Sequence, residues 1–248
     1  MRTPRALVPG LAGVAVLAVA ALPAAAQAPE AVTTLTVKPI VTPNKAGTPK
    51  KPQSVRLDVS VAWSTSGPDG VNKPIVQKGI IDFPKGSLYL GGSYPYRCSK
   101  AELDRARLDD RDRLTGKCAK AVTGSGTATA WADTVKTRPT FQLVNGGAKR
   151  VYLYTVLKNP ARVTTPITGV VEKGGKYGGY RLTATIPDEL QVVAGTPISL
   201  IEGRLRTTAK NWIATTSCPK DGRWPYRGQS FQDSTPVAVV ESFVRCRS

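Results

Sequence analysis

Hydrophobic and polar positions alternate along most of the chain after residue 31. The alternation is clearest over residues 54–64, where valine, leucine and tryptophan are separated by polar or small residues. A period of two is what a β-strand with one buried face requires. Residues 33–41 alternate in the same way. The stretch 42–52, rich in proline and lysine, lies between the two predicted strands and predicts a loop.

Further segments rich in valine, threonine, isoleucine and tyrosine follow, separated by Gly, Pro, Asn or Asp, and this composition is typical of strands and turns. The additional predicted strands are 75–83, 87–90, 127–133, 140–144, 150–157, 167–172, 180–186, 198–206, 212–217, 229–233 and 237–244. Many short strands with frequent turns indicate an antiparallel sandwich or barrel. We expect an all-β, antiparallel β-sandwich, either jelly-roll-like or immunoglobulin-like.

Local signals predict two hairpins and little helix. Asn145-Gly146-Gly147 separates two predicted strands, and Asn-Gly supplies the positive φ angles of a tight turn. The glycine-rich stretch 173–179 joins the next pair. A short helical excursion is predicted within 99–114, starting from a possible cap at Ser99, and one helical turn at 187–190.

The first residues predict export. Arg2 and Arg5 precede an apolar run over residues 7–22, and small residues at 23–26 form a processing site before Gln27. This pattern is typical of a secretory signal peptide over 1–26, and the run is shorter than the roughly 20 residues of a membrane-spanning helix. No later stretch resembles an anchor. We expect a secreted protein, extracellular or associated with the cell wall, without a transmembrane anchor after cleavage.

Composition narrows the chemistry. The chain has 248 residues, 35 Lys and Arg against 17 Asp and Glu, and no histidine. Without histidine the chain cannot form a Ser-His-Asp triad, a Cys-His nucleophile or a His-ligated zinc site. Loss of the signal peptide, whose only charged residues are two arginines, lowers the net charge from +18 to +16.

The four cysteines fit an exported protein. An even number of cysteines in a secreted chain indicates disulfides, and three pairings are possible. We favour Cys98–Cys118 and Cys218–Cys246, because each pair brackets a short segment with loop character. Metal binding is disfavoured because no C-x-x-C pair is present. We expect no metal site and no cofactor.

Acidic residues give no coherent catalytic pattern. The run 102–112 holds five carboxylates, but interleaved arginines and the lack of a D-x-D-x-D-G pattern favour a salt-bridged surface over a calcium site. A glycosidase needs two facing carboxylates. Asp82, Asp133, Glu202 and Asp233 lie in or beside predicted strands and could in principle supply them, although such acids are more often exposed or ion-paired.

Aromatic residues beside arginines are the better candidates for ligand contact. The candidate binding residues, all expected on loops near half-cystines, are Tyr94, Tyr96, Arg223, Trp224, Tyr226 and Arg227. Exposed aromatic rings can stack on sugars or bases. The alternative use of tryptophan is core filling, which we expect for Trp63, Trp131 and Trp212.

The positive charge is spread along the chain almost in proportion to length, with no basic arm. Nucleic-acid modules typically concentrate lysine and arginine on one element or face. We therefore expect no specific nucleic-acid partner. For an exported protein the available anionic partners are cell-wall polymers, membrane lipids and extracellular polysaccharides.

Several segments resemble a group of secreted β-rich proteins from actinobacterial-type, high-GC genomes. They are residues 98–131 with GSGTA at 124–128, VNGGAKRVY at 144–152, NPARV at 159–163, IPDELQ at 186–191 and TTSCP at 215–219. The resemblance covers most of the mature chain and implies export and an all-β fold. That group has no assigned activity, so the resemblance implies no catalytic residues.

Together these patterns predict a signal peptide at 1–26, an N-terminal strand and Pro/Lys-rich loop at 27–53, and a sandwich domain at 54–248. Residues 32–53 are expected to add to the same sandwich. The favoured function is non-enzymatic binding of anionic glycopolymers or surfaces. Two alternatives stay open: a carboxylate-dependent carbohydrate-active enzyme and a purely structural surface protein. Two acids about 5–10 Å apart in a cleft would favour the enzyme.

Overall fold

The computed structural model describes residues 32–66, 73–233 and 235–248, so the predicted signal peptide lies outside the described residues. Strands dominate this part of the chain, with three short helices. The helices are α1 (Lys100–Leu103), α2 (Gly116–Lys120) and α3 (Asp188–Gln191). The strands are β1 (Thr33–Thr42), β2 (Gln53–Ser54), β3 (Arg56–Thr65), β4 (Lys78–Pro84), β5 (Ser87–Tyr89), β6 (Val122–Ala132), β7 (Val135–Thr137), β8 (Thr140–Asn145), β9 (Arg150–Leu157), β10 (Val163–Lys173), β11 (Gly178–Thr185), β12 (Val192–Val193), β13 (Thr196–Thr207), β14 (Ile213–Thr215), β15 (Arg223–Gln232) and β16 (Thr235–Arg245).

Eleven strands follow one another in one antiparallel sheet, in the order β1-β3-β13-β6-β8-β9-β10-β11-β4-β15-β16. Two short strands extend it, because β12 pairs with β13 and β7 pairs with β6. A second, small sheet has the order β2-β14-β5. The prediction of an all-β, antiparallel fold is therefore confirmed.

The two ends of the large sheet meet. The hydroxyl of Tyr226 on β15 donates a hydrogen bond of 2.7 Å to the carbonyl oxygen of Val37 on β1. Beyond the strand ends, the N–H of Ala46 donates to the carbonyl of Arg247 at 2.7 Å, and the N–H of Arg247 donates to Asn44 at 2.9 Å. The large sheet thus curls until its first strand packs on its last two.

The core lies on the concave side of this sheet, and one part of the convex side is also covered. Strand β9 shows both, because its burial is nearly continuous. Leu153 packs towards Trp212 and the small sheet. Tyr152, Tyr154 and Val156 alternate with these inward residues and pack beneath the helical excursion. A strand with two buried faces needs a nearly continuous apolar sequence, and between Val151 and Leu157 only Thr155 interrupts that of β9.

The Cys98–Cys118 disulfide joins the start of the helical excursion to α2, and backbone hydrogen bonds of Asn145 attach both ends of the excursion to β8. Cys98 and Cys118 are bonded, as are Cys218 and Cys246, so the predicted pairing is confirmed. Ser99 caps α1, and Glu102 completes a capping box. Only residues 100–103 and 116–120 are helical, and the segment between them is irregular. The N–H of Cys98 donates to the carbonyl of Asn145 at 3.0 Å, and the N–H of Asn145 donates to Ala121 at 2.9 Å.

Candidate ligand-binding site

The exposed face of β1 and β3 carries a recess. In both strands the even-numbered residues face solvent and the odd-numbered ones face the core, as the period of two requires. On β1 these outward residues include Thr36 and Lys38, and on β3 they include Ser60 and Ala62. Strands β13 and β6 continue the same face, because β13 pairs with β3 and with β6.

These four strands form a recess of about 360 Å³, which we call the groove. Small and hydroxyl-bearing residues make up most of its lining. They are Thr36, Ser60, Val61, Ala62, Thr127, Ala128, Thr129 and Gly203. The charged residues that line it are Lys38, Glu202 and Arg204. No aromatic residue lines the groove in the part of the chain that the structure describes.

Two arginines beside the groove are held by one carboxylate. Arg204 and Arg206 are two residues apart on β13, so they share a face. Arg204 makes two hydrogen bonds to Asp58, of 3.0 and 2.9 Å, and Arg206 makes two to the same carboxylate, of 3.0 and 2.8 Å. Hydrogen bonds from Arg204 and then Arg206 lower the pKa of Asp58 to about 2, so the carboxylate stays ionised at neutral pH.

This triad fixes the arginine head groups while leaving them accessible. The side chains of Arg204 and Arg206 are 60% and 62% exposed, whereas that of Asp58 is only 16% exposed. Each guanidinium has five N–H donors, and Asp58 occupies two of them. The remaining donors face solvent at the edge of the groove and can bind an oxyanion.

The other charged residues of the groove differ in how they are partnered. Glu202 accepts a 3.0 Å hydrogen bond from the hydroxyl of Thr129. Lys38 is exposed, and no carboxylate in the described part of the chain lies within ion-pair distance of it. The ammonium group of Lys38 is therefore available to a ligand.

A second recess lies at the end of β1 and β3. It has a volume of about 290 Å³, and Thr42, Arg56, Lys210 and Asn211 are among the residues that line it. Thr42 and Arg56 are paired across the two strands and belong to the same outward-facing rows as Lys38 and Ser60. None of the described residues that line this recess is acidic.

The aromatic residues predicted from the sequence lie elsewhere, and two of them are buried. Residues 223–227 were expected on a loop but form the start of β15. Trp224 and Tyr226 are 3% and 8% exposed, so the expectation of surface aromatics there is wrong. Pro225 is tolerated because β15 pairs with β4 only over residues 227–231, which leaves one neighbour beside the proline.

The remaining predicted residues do not gather into one site. Arg223 stacks on Phe243 at 4.5 Å, and Arg227 lies in a row of charged residues between Asp82 and Glu241, with its Nε atom 3.4 Å from a Glu241 carboxylate oxygen. Tyr94 packs against the core cluster that contains Trp212, and Tyr96 is 47% exposed. Trp224 belongs to a different cluster at the Cys218–Cys246 disulfide.

The three tryptophans that were predicted to fill the core differ in their burial. Trp212 is 4% exposed, as expected. Trp131 is half-buried and faces solvent between two lysines, with the ammonium groups of Lys73 and Lys136 at 4.0 and 5.0 Å from the ring. Trp63 is half-buried and points inward from β3.

The four acids considered for glycosidase chemistry are scattered. Asp82 is fully buried and ion-paired to Arg181, while Asp133 and Asp233 occupy turn positions with positive φ. Among the described residues, Glu202 is the only acid that lines the groove. Asp58 is four positions further along the sheet from Glu202, about 13 Å, which is beyond the spacing that retaining or inverting glycosidases use.

The acidic run of the excursion is salt-bridged, as the sequence indicates. Asp109 pairs with Arg113, and Asp112 pairs with both Lys158 and Arg162. Over residues 32–66, 73–233 and 235–248, no cluster of three or more Cys, Asp or Glu side chains could hold a metal ion.

Comparisons with known proteins identify no relative of this chain. A scan against protein-family models finds no match. Searches of curated proteins and of solved structures find no significant match either. The resemblance to actinobacterial secreted proteins therefore stays a prediction. Within the described residues, no helix has the length and apolar character that crossing a lipid bilayer requires.

Sequence reasoning missed Lys38, Asp58, Arg204 and Arg206 as site residues. A local signal was present, because an Arg-x-Arg pair in a strand places two guanidiniums on one face. The partner Asp58 lies about 150 residues earlier in the chain, and only the pairing of β3 with β13 brings it beside them.

Proposed function

We propose that this chain is a secreted protein that binds anionic glycopolymers without transforming them, and that the groove is its binding site. The observation that carries the proposal is the Arg204–Asp58–Arg206 triad beside Lys38, which makes no ion pair within the described residues, over a floor of hydroxyl-bearing and small residues. Fixed guanidiniums recognise carboxylate, sulfate or phosphate groups, and serine and threonine hydroxyls hydrogen-bond to sugar hydroxyls.

The composition of the groove also indicates the kind of glycan. Neutral sugars are commonly held by stacking of their apolar faces on aromatic rings, and none of the described residues that line the groove is aromatic. Charge and hydroxyl contacts must therefore supply the affinity. Two disulfides and the predicted signal peptide support a site outside the cell, where such polymers are found.

Binding to a linear polyuronate tests this proposal. We expect Lys38→Gln to weaken binding to immobilised polygalacturonate about 2–5-fold and to lower the salt dependence of the affinity by about one charge. The variant removes a cation that makes no ion pair in the described structure, so the fold should be unaffected. Affinity is measured by biolayer interferometry at low and high salt, with neutral dextran as the reference polymer.

Lys149→Gln is the matched control, because it removes the same charge from an exposed position in the turn between β8 and β9. It should change affinity by less than about twofold. Equal losses in both variants would show that diffuse charge, and not the groove, attracts the polymer. Absence of any salt-sensitive retention of the wild-type protein would refute the binding function itself.

A further inference from the structure

We propose that the groove and the second recess form one continuous track that holds a linear, unbranched polyanion along β1 and β3. This inference rests on the proposed function and specifies the ligand further. Both recesses are lined by outward residues of the same two strands, Lys38 and Thr42 on β1 and Ser60 and Arg56 on β3. A chain laid parallel to these strands crosses both recesses without turning.

The cations follow the same line. Lys38 and Arg204 stand at the first recess, opposite one another across Ser60. Arg206 follows two residues further along β13, a step of about 7 Å. Arg56 and Lys210 stand at the second recess, which begins about 13 Å from the first when measured from Ser60 to Arg56 along β3.

The partnering of these cations indicates where the anionic groups of the ligand would sit. Asp58 neutralises much of the charge in the middle of the track, where it binds Arg204 and Arg206. Among the described residues, Arg56 and Lys210 have no carboxylate within ion-pair distance. Cations without an ion-pair partner among the described residues therefore lie at both ends of the track, Lys38 at one and Arg56 and Lys210 at the other. A ligand with negative charges along its length can bind at both ends at once.

An exposed apolar residue joins the two recesses. Ile40 lies between Lys38 and Thr42 on the outward face of β1, is 61% exposed and is paired with Asp58. An isoleucine at this position offers apolar contact to the C–H face of a sugar ring that passes between the two cationic sites. A small isolated anion would not reach it.

The track favours a glycopolymer over a nucleic acid. Proteins that bind single-stranded nucleic acids combine a cationic groove with aromatic side chains on which the bases stack. Over residues 32–66, 73–233 and 235–248, no aromatic residue lines either recess. A chain of anionic sugars has no bases to stack, so a lining without aromatic residues does not weaken its binding.

Isothermal titration calorimetry with two oligomers of one linear polyuronate tests the track. The probes are a disaccharide and an oligomer long enough to cover both recesses. We expect one long oligomer per protein chain, bound at least about tenfold more tightly than the disaccharide, because binding at the first recess raises the effective concentration at the second. Arg56→Gln should weaken the long oligomer about 2–5-fold, as Lys38→Gln does.

The outcomes separate this inference from the proposed function. If Lys38→Gln weakens the long oligomer but Arg56→Gln and Lys210→Gln do not, the groove binds the polymer and the track is refuted. The track is also refuted if the disaccharide and the long oligomer bind with equal affinity, after correction for the number of positions at which the long oligomer can align with one recess. If Lys38→Gln is no worse than Lys149→Gln with every probe, the proposed function fails. Tighter binding of a single-stranded oligonucleotide with the same number of charges overturns the choice of a glycopolymer.

Discussion

Replacing Asn145 by alanine is expected to lower the free energy of unfolding by about 3–5 kcal/mol. The side chain of Asn145 is completely buried, and both ends of its amide are used. The Nδ2 group donates to the carbonyl oxygens of Gly91 at 3.0 Å and Tyr96 at 2.8 Å. The Oδ1 atom accepts from the N–H of Gly147 at 3.3 Å and from the indole N–H of Trp212 at 3.2 Å.

The expected effect is large because alanine leaves several buried polar groups without partners. Each unsatisfied donor or acceptor costs about 1–3 kcal/mol when water cannot replace the lost partner. Asn145 also stands where separate parts of the chain meet. The amide joins the segment after β5, the indole of Trp212 and the turn after β8, while the backbone holds both ends of the helical excursion.

Urea denaturation at neutral pH measures this effect, with two comparison variants. Tyr89→Phe removes one hydroxyl that lies 3.1 Å from Asn145 Oδ1 and 2.7 Å from the carbonyl of Arg150, and it should cost about 1–2 kcal/mol. Burial raises the pKa of Tyr89, so this hydroxyl stays a hydrogen-bond donor. Gln229→Ala, which removes a partly exposed amide from β15, should cost less than about 1 kcal/mol. A loss for Asn145→Ala no larger than that for Gln229→Ala would contradict the role assigned to Asn145.

Asn145 also shows what sequence reasoning could and could not predict. The Asn-Gly-Gly sequence correctly placed a turn between β8 and β9. The prediction that Asn145 supplies a positive φ angle to the turn was wrong. The positive φ angle belongs to Gly147, and Asn145 is the last residue of β8. A turn signal is local, whereas the partners Gly91, Tyr96 and Trp212 come from segments that only the complete fold brings together.

The same distinction explains the rest of the fold. The alternation of apolar and polar residues predicted β3 well, because a strand with one buried face shows that alternation within its own sequence. In β15, Pro225 and Gly228 masked the alternation, although Trp224, Tyr226, Gly228 and Ser230 are all buried on one side. Gly228 leaves room for this packing, because a Cβ atom there would lie 3.2 Å from side chains of both Val37 and Val240 and would require them to shift. The sequence could not show that β1 would pack on this strand.

The candidate site was less predictable than the fold. The groove is assembled from β1, β3, β13 and β6, whose residues span positions 36–204. Diffuse basic charge in the sequence becomes a local cationic surface only when these strands pair. Composition could therefore indicate an anionic partner, but it could not indicate which lysines and arginines would meet it.

Asp82→Asn is expected to lower the free energy of unfolding by about 2–4 kcal/mol at neutral pH. Asp82 is fully buried and lies in a row of alternating charges across five paired strands. From β10 to β16 this row is Glu172, Arg181, Asp82, Arg227 and Glu241. Arg181 makes two hydrogen bonds to Asp82, of 2.7 and 3.2 Å. The expected loss in the free energy of unfolding is limited because the side chain of Arg181 is 38% exposed, so water can solvate it after the loss of Asp82.

The pH dependence provides the sharper test of this ion pair. Burial raises the pKa of Asp82, but hydrogen bonds from Arg181 and from the backbone of Lys176 outweigh it and hold the pKa below its ordinary value of 3.8. A carboxyl group whose pKa is lower in the folded state stabilises the protein above its ordinary pKa. That contribution is lost as the pH falls through the folded-state pKa. The difference between wild type and Asp82→Asn should therefore be constant near neutrality and shrink below about pH 4.

Urea denaturation of wild type and variant, from neutral pH down to the acid transition, measures this difference. Asp110→Asn is the matched control, since Asp110 is exposed on the helical excursion and its loss should change stability by less than about 0.5 kcal/mol. A difference for Asp82→Asn that equals the control at neutral pH, or that grows on acidification, would be inconsistent with a buried, ionised Asp82. Asp82 lies on β4, between β11 and β15, and none of these three strands contributes a residue to the described lining of the groove. Polymer binding by the folded Asp82→Asn protein should therefore match wild type, so stability and binding can be separated in one variant.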